Sequence, residues 1–341
     1  MLFTRDIGID LGTATVLLAV KGKGIVTREP SVVAMEKNSG RLLKVGMAAQ
    51  RMLGRTPGNI VAIKPINAGV ISDCDMTERM LRELVRKVTS FSLIKPRILI
   101  SVPSGITEVE ERAVIEAGMQ AGARKVYLIE EPVAAALGSG LDISKPEGHM
   151  VVDVGAGTTD IAVISLNGVV QSESIKVAGD AFDAAIIRHI KRKHNVLIGD
   201  VTAEELKKSI GCVKPRNDAA SIEVKGRCLM TGLPRIVSVS TQEMGEAFCE
   251  VTEQILEAIQ QVLENTPPEL VADVSENGIT ITGGGSQIWG FDQLVAERTS
   301  IPTRIADDPE LCVAYGVSKA LANINNMEEG TINIARRRQM R

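Results

Sequence analysis

The chain has 341 residues, 44% of them apolar and 24% charged, with a net charge of -3 at pH 7. A chain of this length exceeds what one hydrophobic core usually serves, so two lobes are expected. The slight acidity gives no general draw toward nucleic acid, and an aromatic content of 2% offers few platforms for stacking bases.

Cys74, Cys212, Cys228, Cys249 and Cys312 are scattered and form no CxxC pair, which suits a reducing cytosol and argues against a zinc site of ordinary spacing. No signal peptide precedes Asp6, and no apolar run approaches the ~20 residues of a spanning helix. A soluble, intracellular protein is the expectation.

In chain order, Ile7-Gly-Ile-Asp10-Leu-Gly12-Thr13-Ala14-Thr15-Val-Leu-Leu reads as strand, small-residue turn and strand. Lys21 to Gly24 is a turn, and Gly24 to Met35 reads as paired strands broken by Pro30. Short strands, a short helix near Ala48 to Leu53 and the Thr56-Pro-Gly58 turn make residues 30–67 a small insertion on the first lobe. The spacing of Met80, Leu81, Leu84, Val85 and Val88 predicts a helix over Thr77 to Val88. It runs into the apolar loop Phe91-Ser-Leu93-Ile94. A strand from Arg97 to Val102 leads to a helix with the capping box Thr107-x-x-Glu110. The strand from Lys125 to Ile129 ends at Glu130-Glu131-Pro132, where proline starts the next helix. Alternation of strand and helix predicts a mainly parallel sheet in each lobe, covered by helices.

The second lobe opens with Met150-Val-Val-Asp153-Val-Gly155-Ala156-Gly157-Thr158-Thr-Asp-Ile-Ala-Val163, a second hairpin of the first kind. Asp10 matches Asp153, Gly12 matches Gly155 and Thr15 matches Thr158. Glycines at such a tip let successive backbone N–H groups approach an anion closely. A carboxylate repels phosphate, so each aspartate is placed to hold a divalent cation between itself and the phosphates. One such turn is only a tight hairpin; two suggest a duplicated domain gripping one polyphosphate from opposite sides. Helices follow over Asp180 to His194 and Ala203 to Ile210, then short strands between Ser221 and Val239. Thr241 is expected to cap a long helix whose stripe of Met244, Phe248, Val251, Ile255, Ile259 and Val262 reads as core. A strand from Gly278 to Thr282 delivers Gly283-Gly284-Gly285-Ser286 into a helix, an arrangement that suits either close approach of a ligand to the backbone or a helix dipole facing an anion. The final helix, capped by Asp307-Asp308, offers Leu311, Ala314, Tyr315, Val317 and Leu321 to the first lobe, and the chain ends in a basic tail with Arg336-Arg-Arg338.

Two Asp-Gly hairpins, the Glu-Pro helix start and the Gly-Gly-Gly turn, in this order, resemble the actin, Hsp70 and sugar-kinase ATPase fold: an α/β protein of two similar lobes, with nucleotide in the cleft between them. Asp6-Ile-Gly-Ile-Asp-Leu-Gly-Thr13, Glu29-Pro-Ser-Val-Val-Ala34, Arg55-Thr-Pro-Gly58, Ala178-Gly-Asp180, Thr231-Gly-Leu-Pro-Arg235 and Thr266-Pro-Pro-Glu-Leu270 bring the resemblance closer, to the MreB/Mbl family of bacterial actin homologues. It spans residues 1–325.

This resemblance implies lobes of 1–147 plus 310–341 (insertion about 30–67) and 148–309 (insertion about 179–240). It also implies a homopolymer, in paired protofilaments, at the inner face of the cytoplasmic membrane. There it would work with membrane-bound shape-complex and cell-wall synthesis proteins, without nucleic acid, and would hydrolyse ATP slowly to ADP with magnesium. By motif, Gly12, Thr13, Ala14 and Thr15, with Gly155, Ala156, Gly157 and Thr158, would bind phosphate, and Asp10 and Asp153 would hold magnesium through waters. Glu131 and Thr158 would place the attacking water, although Glu131 is also a helix-start charge favoured by the dipole. Glu204 and Lys207 would contact adenosine, and Gly283 to Ser286 would lie against the nucleotide. Thr15, Ala156 and Lys208-Ser-Ile-Gly-Cys212 depart from the family pattern. Leu2, Phe3, Phe91, Leu93 and Ile94, beside basic residues, would suit shallow insertion into lipid. A small-molecule kinase would need a base poised for a substrate hydroxyl, and a chaperone ATPase would need a substrate-binding domain; neither is visible.

Overall fold

Each Asp-Gly hairpin seeds a five-stranded sheet, and the two sheets share one topology. The computed structural model describes residues 6–89, 94–218 and 220–327. Across the first sheet the strands run Lys125–Glu130, Arg97–Val102, Ile7–Leu11, Thr15–Val20 and Gly24–Pro30. Across the second they run Thr303–Ile305, Ile279–Thr282, His149–Val154, Thr159–Ser165 and Gly168–Ile175. In both, three consecutive strands form an antiparallel meander, and two later strands add in parallel beside its first member. The central strands are buried on both faces, which is why they read as near-continuous apolar runs.

Helices supply those faces. Cys74–Thr89 buries Met76, Met80, Leu81, Leu84 and Val85 against Ile7, Ile9, Ile98 and Ile100. It begins ahead of the expected Thr77 because Asp73 accepts the Met76 N–H at 3.0 Å and so serves as its start signal. Glu108–Gln120 carries the full capping box of Thr107 and Glu110. Thr241–Glu264 buries the whole expected stripe, with Phe248 edge-on to Phe182 at 4.7 Å between ring centres. Its cap is Ser240 rather than Thr241: Ser240 keeps extended backbone and its hydroxyl accepts the Glu243 N–H.

A third core lies between the sheets, where the helices Glu131–Gly138 and Cys312–Ala320 cross. It joins Leu99, Ile129, Val151 and Ile164 to Ala134, Ala135, Val313, Val317 and Leu321. At the crossing no side chain separates the backbones. A Cβ on Gly316 would fall 1.7 Å from the Ala134 carbonyl oxygen, and one on Gly138 would fall 1.8 Å from that of Cys312. Tyr315 departs from the expectation: it lies on the outer side of its helix, 37% exposed. Asp308 does not cap this helix with its side chain; it precedes a short 3₁₀ turn, Pro309–Leu311.

Pro30 marks a change of sheet. Strand Gly24–Pro30 closes the first core sheet, whereas Val33–Glu36 joins Leu42–Val45 and Ile60–Ile63 in a small separate one. The short helix there is Met47–Gln50, earlier than Ala48 to Leu53. A second small sheet of Val196–Leu197, Ser221–Cys228 and Pro234–Ser240 extends the other lobe. Between the two extensions Lys64 Nζ meets Asp180 Oδ1 at 3.3 Å, with both side chains about two-fifths exposed.

Candidate functional site

The two hairpin tips meet. A Cβ on Gly157 would fall 2.5 Å from Thr13 Oγ1 and 2.8 Å from the Ala68 Cα, so glycine is required for the approach. Between the tips sits the turn of a third hairpin, Ile66–Asn67 with Val70–Ile71. Its Gly69 N–H donates to Thr13 Oγ1 at 3.0 Å, and its Cα packs against Thr158 and Pro103. Ala68 takes a left-handed φ of 47° to make this turn. Gly12, Ala14, Thr15, Gly155 and Ala156 remain partly accessible around the junction, while Thr13 and Thr158 are buried.

The matched aspartates stand at the ends of matched strands, and each is steadied by a hydroxyl from the parallel strand beside it. Ser101 donates to Asp10 at 3.3 Å, and Thr282 donates to Asp153 at 2.7 Å. The structure brings two further carboxylates to them, Glu131 and Asp160. Burial pushes Asp10 and Asp153 each up to about 7. It pushes Asp160 up to about 6, with the hydrogen bond from the Ser104 N–H and the nearby Ser174 and Thr158 hydroxyls opposing the rise. Glu131 is raised well above the usual range by burial, then by the charges of Asp160, Asp10 and Asp153. Buried carboxylates, with Glu131 and Asp153 also raised by their acidic neighbours, are relieved by a cation. Among the described residues no three acidic, His or Cys side chains converge at metal-ligand spacing. A magnesium ion at this place would be held by one or two of the carboxylates, with waters and phosphate oxygens completing its shell.

Glu131 is the first residue of its helix, one ahead of the expected proline start, so it serves the helix dipole and faces the carboxylate group at once. Lys207 reaches the second tip. Its Nζ donates to the Gly179 carbonyl and to Asp183 Oδ2, both at 2.8 Å, and Gly179 itself packs on Gly155 and Ala156. Glu204, one turn earlier in Asp200–Ile210, instead holds Lys208 on the surface at 2.6 Å.

In the glycine turn only Gly284 presents its backbone to solvent. Gly283, at φ 82°, and Gly285 are pressed against Val154, and Ser286 folds back to donate to the Gly283 carbonyl at 2.6 Å. The strand therefore enters a 3₁₀ turn, Gly284–Gln287, and the helix begins only at Phe291. Leu2, Phe3, Phe91 and Leu93 lie outside the described residues, as does the basic tail; Ile94 is partly buried.

Sequence reasoning missed Asp160, Ser104 and the Ala68–Gly69 turn. Asp160 did carry a signal, a charge in an otherwise apolar strand; Asn67-Ala-Gly69 looks like any loop.

The profile of the family described as MreB/Mbl protein matches residues 4–329. The cell shape-determining protein Mbl of Bacillus subtilis (strain 168) is 51% identical over 327 residues, covering 96% of this chain and 98% of that protein. The cell shape-determining protein MreB of Escherichia coli (strain K12) is 49% identical over 330 residues, 95% of each. Among solved structures, MreB5 of Spiroplasma citri bound to ADP aligns with a TM-score of 0.91 at 37% identity, covering 96% of this chain and all of that one. The MamK double helical filament shares the fold, with a TM-score of 0.81 at 24% identity.

Proposed function

The chain belongs to the MreB/Mbl protein family, and on that footing we propose that it is a filament-forming bacterial actin that binds ATP between its lobes and hydrolyses it slowly. The observation that carries this reading is the meeting of two duplicated Asp-Gly tips over four buried carboxylates, at the junction of two lobes of one topology. Relatives of the same fold have been seen with ADP and with AMPPNP, both as MreB5 of Spiroplasma citri. We divide the lobes at 1–147 plus 310–341 and 148–309, a division supported by the matched sheets.

In this reading the polyphosphate lies over the backbone N–H groups of Gly12 to Thr15 and Gly155 to Thr158. Asp10 and Asp153 would hold magnesium, which would neutralise phosphate charge. Lys207 sits beside the second tip, where it would contact adenosine; Glu204 and the exposed backbone of Gly284 would border the same end. Glu131 and Thr158 place the attacking water. Phosphoryl transfer asks for positioning and charge compensation more than for covalent help, and this site is built of those two things.

The finer part of the proposal is location: the inner face of the cytoplasmic membrane, where the polymer would organise cell-wall synthesis and rod shape with membrane-bound partners. The described residues contain no helix long and apolar enough to cross a membrane, so the contact would be peripheral, through Leu2, Phe3, Phe91, Leu93 and Ile94. One such contact is weak, and a polymer multiplies it through avidity. Electron microscopy of the purified protein with ATP and magnesium, with and without anionic liposomes, tests both parts. Ordered filaments lying on lipid are expected. Monodisperse particles under every condition would overturn the polymer, and filaments that ignore lipid would overturn the membrane contact.

A further inference from the structure

The duplication singles out one side chain that the fold does not need. In the first hairpin Asp10 stands directly opposite Leu17, and in the second Asp153 stands directly opposite Asp160. Leu17 is an ordinary core residue, 4% exposed. Asp160 occupies the twin position, fully buried, in a strand that continues with Ile161, Ala162 and Val163. A buried carboxylate is costly unless its oxygens are bonded, and an apolar residue serves this position in the other lobe.

What surrounds Asp160 indicates its use. Its Oδ1 accepts the Ser104 N–H at 2.8 Å, from the loop after strand Arg97–Val102 in the opposite lobe. Its Oδ2 has no hydrogen-bond partner and no access to solvent, and neither does Ser104 Oγ. Two hydroxyls lie beside the carboxylate without closing a bond to Oδ2: that of Ser174, directly opposite on the neighbouring strand, and that of Thr158, two positions before Asp160. Glu131 comes to the same carboxylate from the first lobe.

We propose that Asp160 is a positioning residue for ATP hydrolysis, whose Oδ2 accepts a hydrogen bond from the Thr158 hydroxyl and so fixes how Thr158 holds the attacking water. The proposal rests on the reading above that Thr158 and Glu131 place that water. A hydroxyl has one proton and two lone pairs. Once the Thr158 O–H donates a hydrogen bond to the Asp160 carboxylate, its oxygen can only accept, and it accepts a hydrogen bond from one hydrogen of the water. Glu131 accepts the other. Both water hydrogens then point away from the γ-phosphate and a lone pair faces it. The water oxygen bonds to the γ-phosphorus, and the bond from that phosphorus to the β–γ bridging oxygen breaks, with its electron pair leaving on ADP. One water proton passes to Glu131. Asp160 makes and breaks no bond in this step. Its other oxygen is tied to Ser104, so the alignment depends on the contact between the two lobes at the base of the cleft.

The test is phosphate release per polymerised subunit by the full chain with magnesium and ATP, for Asp160→Asn, Thr158→Val and the double variant. Nucleotide affinity and thermal unfolding are measured on the same samples. Asparagine keeps the shape and the acceptor for Ser104 but presents an amide to Thr158, which turns the hydroxyl the wrong way. We expect kcat to fall about tenfold or more for Asp160→Asn, KM to hold within about threefold, and the double variant to match Thr158→Val alone. Native kcat in Asp160→Asn would overturn the proposal. So would losses that multiply in the double variant, since a merely structural aspartate acts independently of Thr158. Polymer without any phosphate release from the native chain would overturn the hydrolysis reading itself, and this proposal with it.

Discussion

Replacing Gly316 by alanine tests the helix crossing that lies between the two sheets. The new Cβ would lie 1.7 Å from the Ala134 carbonyl oxygen and 2.4 Å from its carbon, whereas ordinary contact begins near 3.4 Å. The obstacle is backbone on both sides, so no rotamer change relieves it, and the crossing has to open by about the 1.7 Å that is missing. Opening it also pulls Val313 and Val317 away from Ala134 and Ala135. Overpacking of this kind costs roughly 3 kcal/mol or more when backbone must move. Alanine recovers about 1 kcal/mol through its better helix propensity, leaving a net loss of about 2 kcal/mol. Urea unfolding followed by circular dichroism would read this as a lower midpoint at similar slope. A Gly316→Ala protein as stable as the native chain, or more stable, would refute the reasoning, because propensity would then be the only effect present.

Glu131→Ala should slow phosphate release about a hundredfold or more, as loss of a positioned base does, with ATP affinity retained in equilibrium binding. Loss of binding in that variant would remove Glu131 from its assigned role. Lys207→Ala should weaken nucleotide binding about tenfold in a fluorescence titration, since it removes the ammonium that joins Asp183 to the Gly179 carbonyl beside the second tip. Leu93→Ser with Ile94→Ser should reduce sedimentation with anionic liposomes while the melting curve stays in place; unchanged sedimentation would sink the loop assignment. Glu29→Gln tests a charge. Burial alone would raise the Glu29 carboxyl, but the Met47 N–H and the Lys87 ammonium outweigh it and hold it below its usual range. A depressed carboxyl stabilises above its unfolded pKa and loses that contribution as pH falls through the folded value. The variant should therefore be less stable by about 1 kcal/mol at pH 7, and the difference should disappear as pH falls through the depressed folded value of Glu29.

The elements legible in the sequence were those whose information is local. Period and capping residues placed the helices Cys74–Thr89 and Glu108–Gln120, and the repeated Asp-x-Gly spacing placed both hairpins. Where two neighbouring residues offer the same chemistry, as Ser240 and Thr241 do, only the backbone conformation decides between them. Other features depend on distant partners. Gly138 and Gly316 look like ordinary helix glycines until their carbonyl neighbours are in place. Asp160 reads as an odd charge until Ser104 and Glu131 arrive from the other lobe. The Gly-Gly-Gly turn misled in part, because glycine is needed there for Val154 to pack closely as well as for access to the backbone.

The cleft is fastened unequally at its two ends. At its base are touching tips, a backbone crossing and a shared apolar core; at its mouth the described residues show Lys64 and Asp180, an exposed ion pair. Such a pair is worth about 1 kcal/mol at most and weakens with salt. Thermal motion therefore separates the mouth freely while the base stays shut, and the lobes move as two levers on one fixed fulcrum. Whatever small adjustment the bound phosphates impose near that fulcrum grows in proportion to distance from it. It is largest at the outer ends of the two lobes.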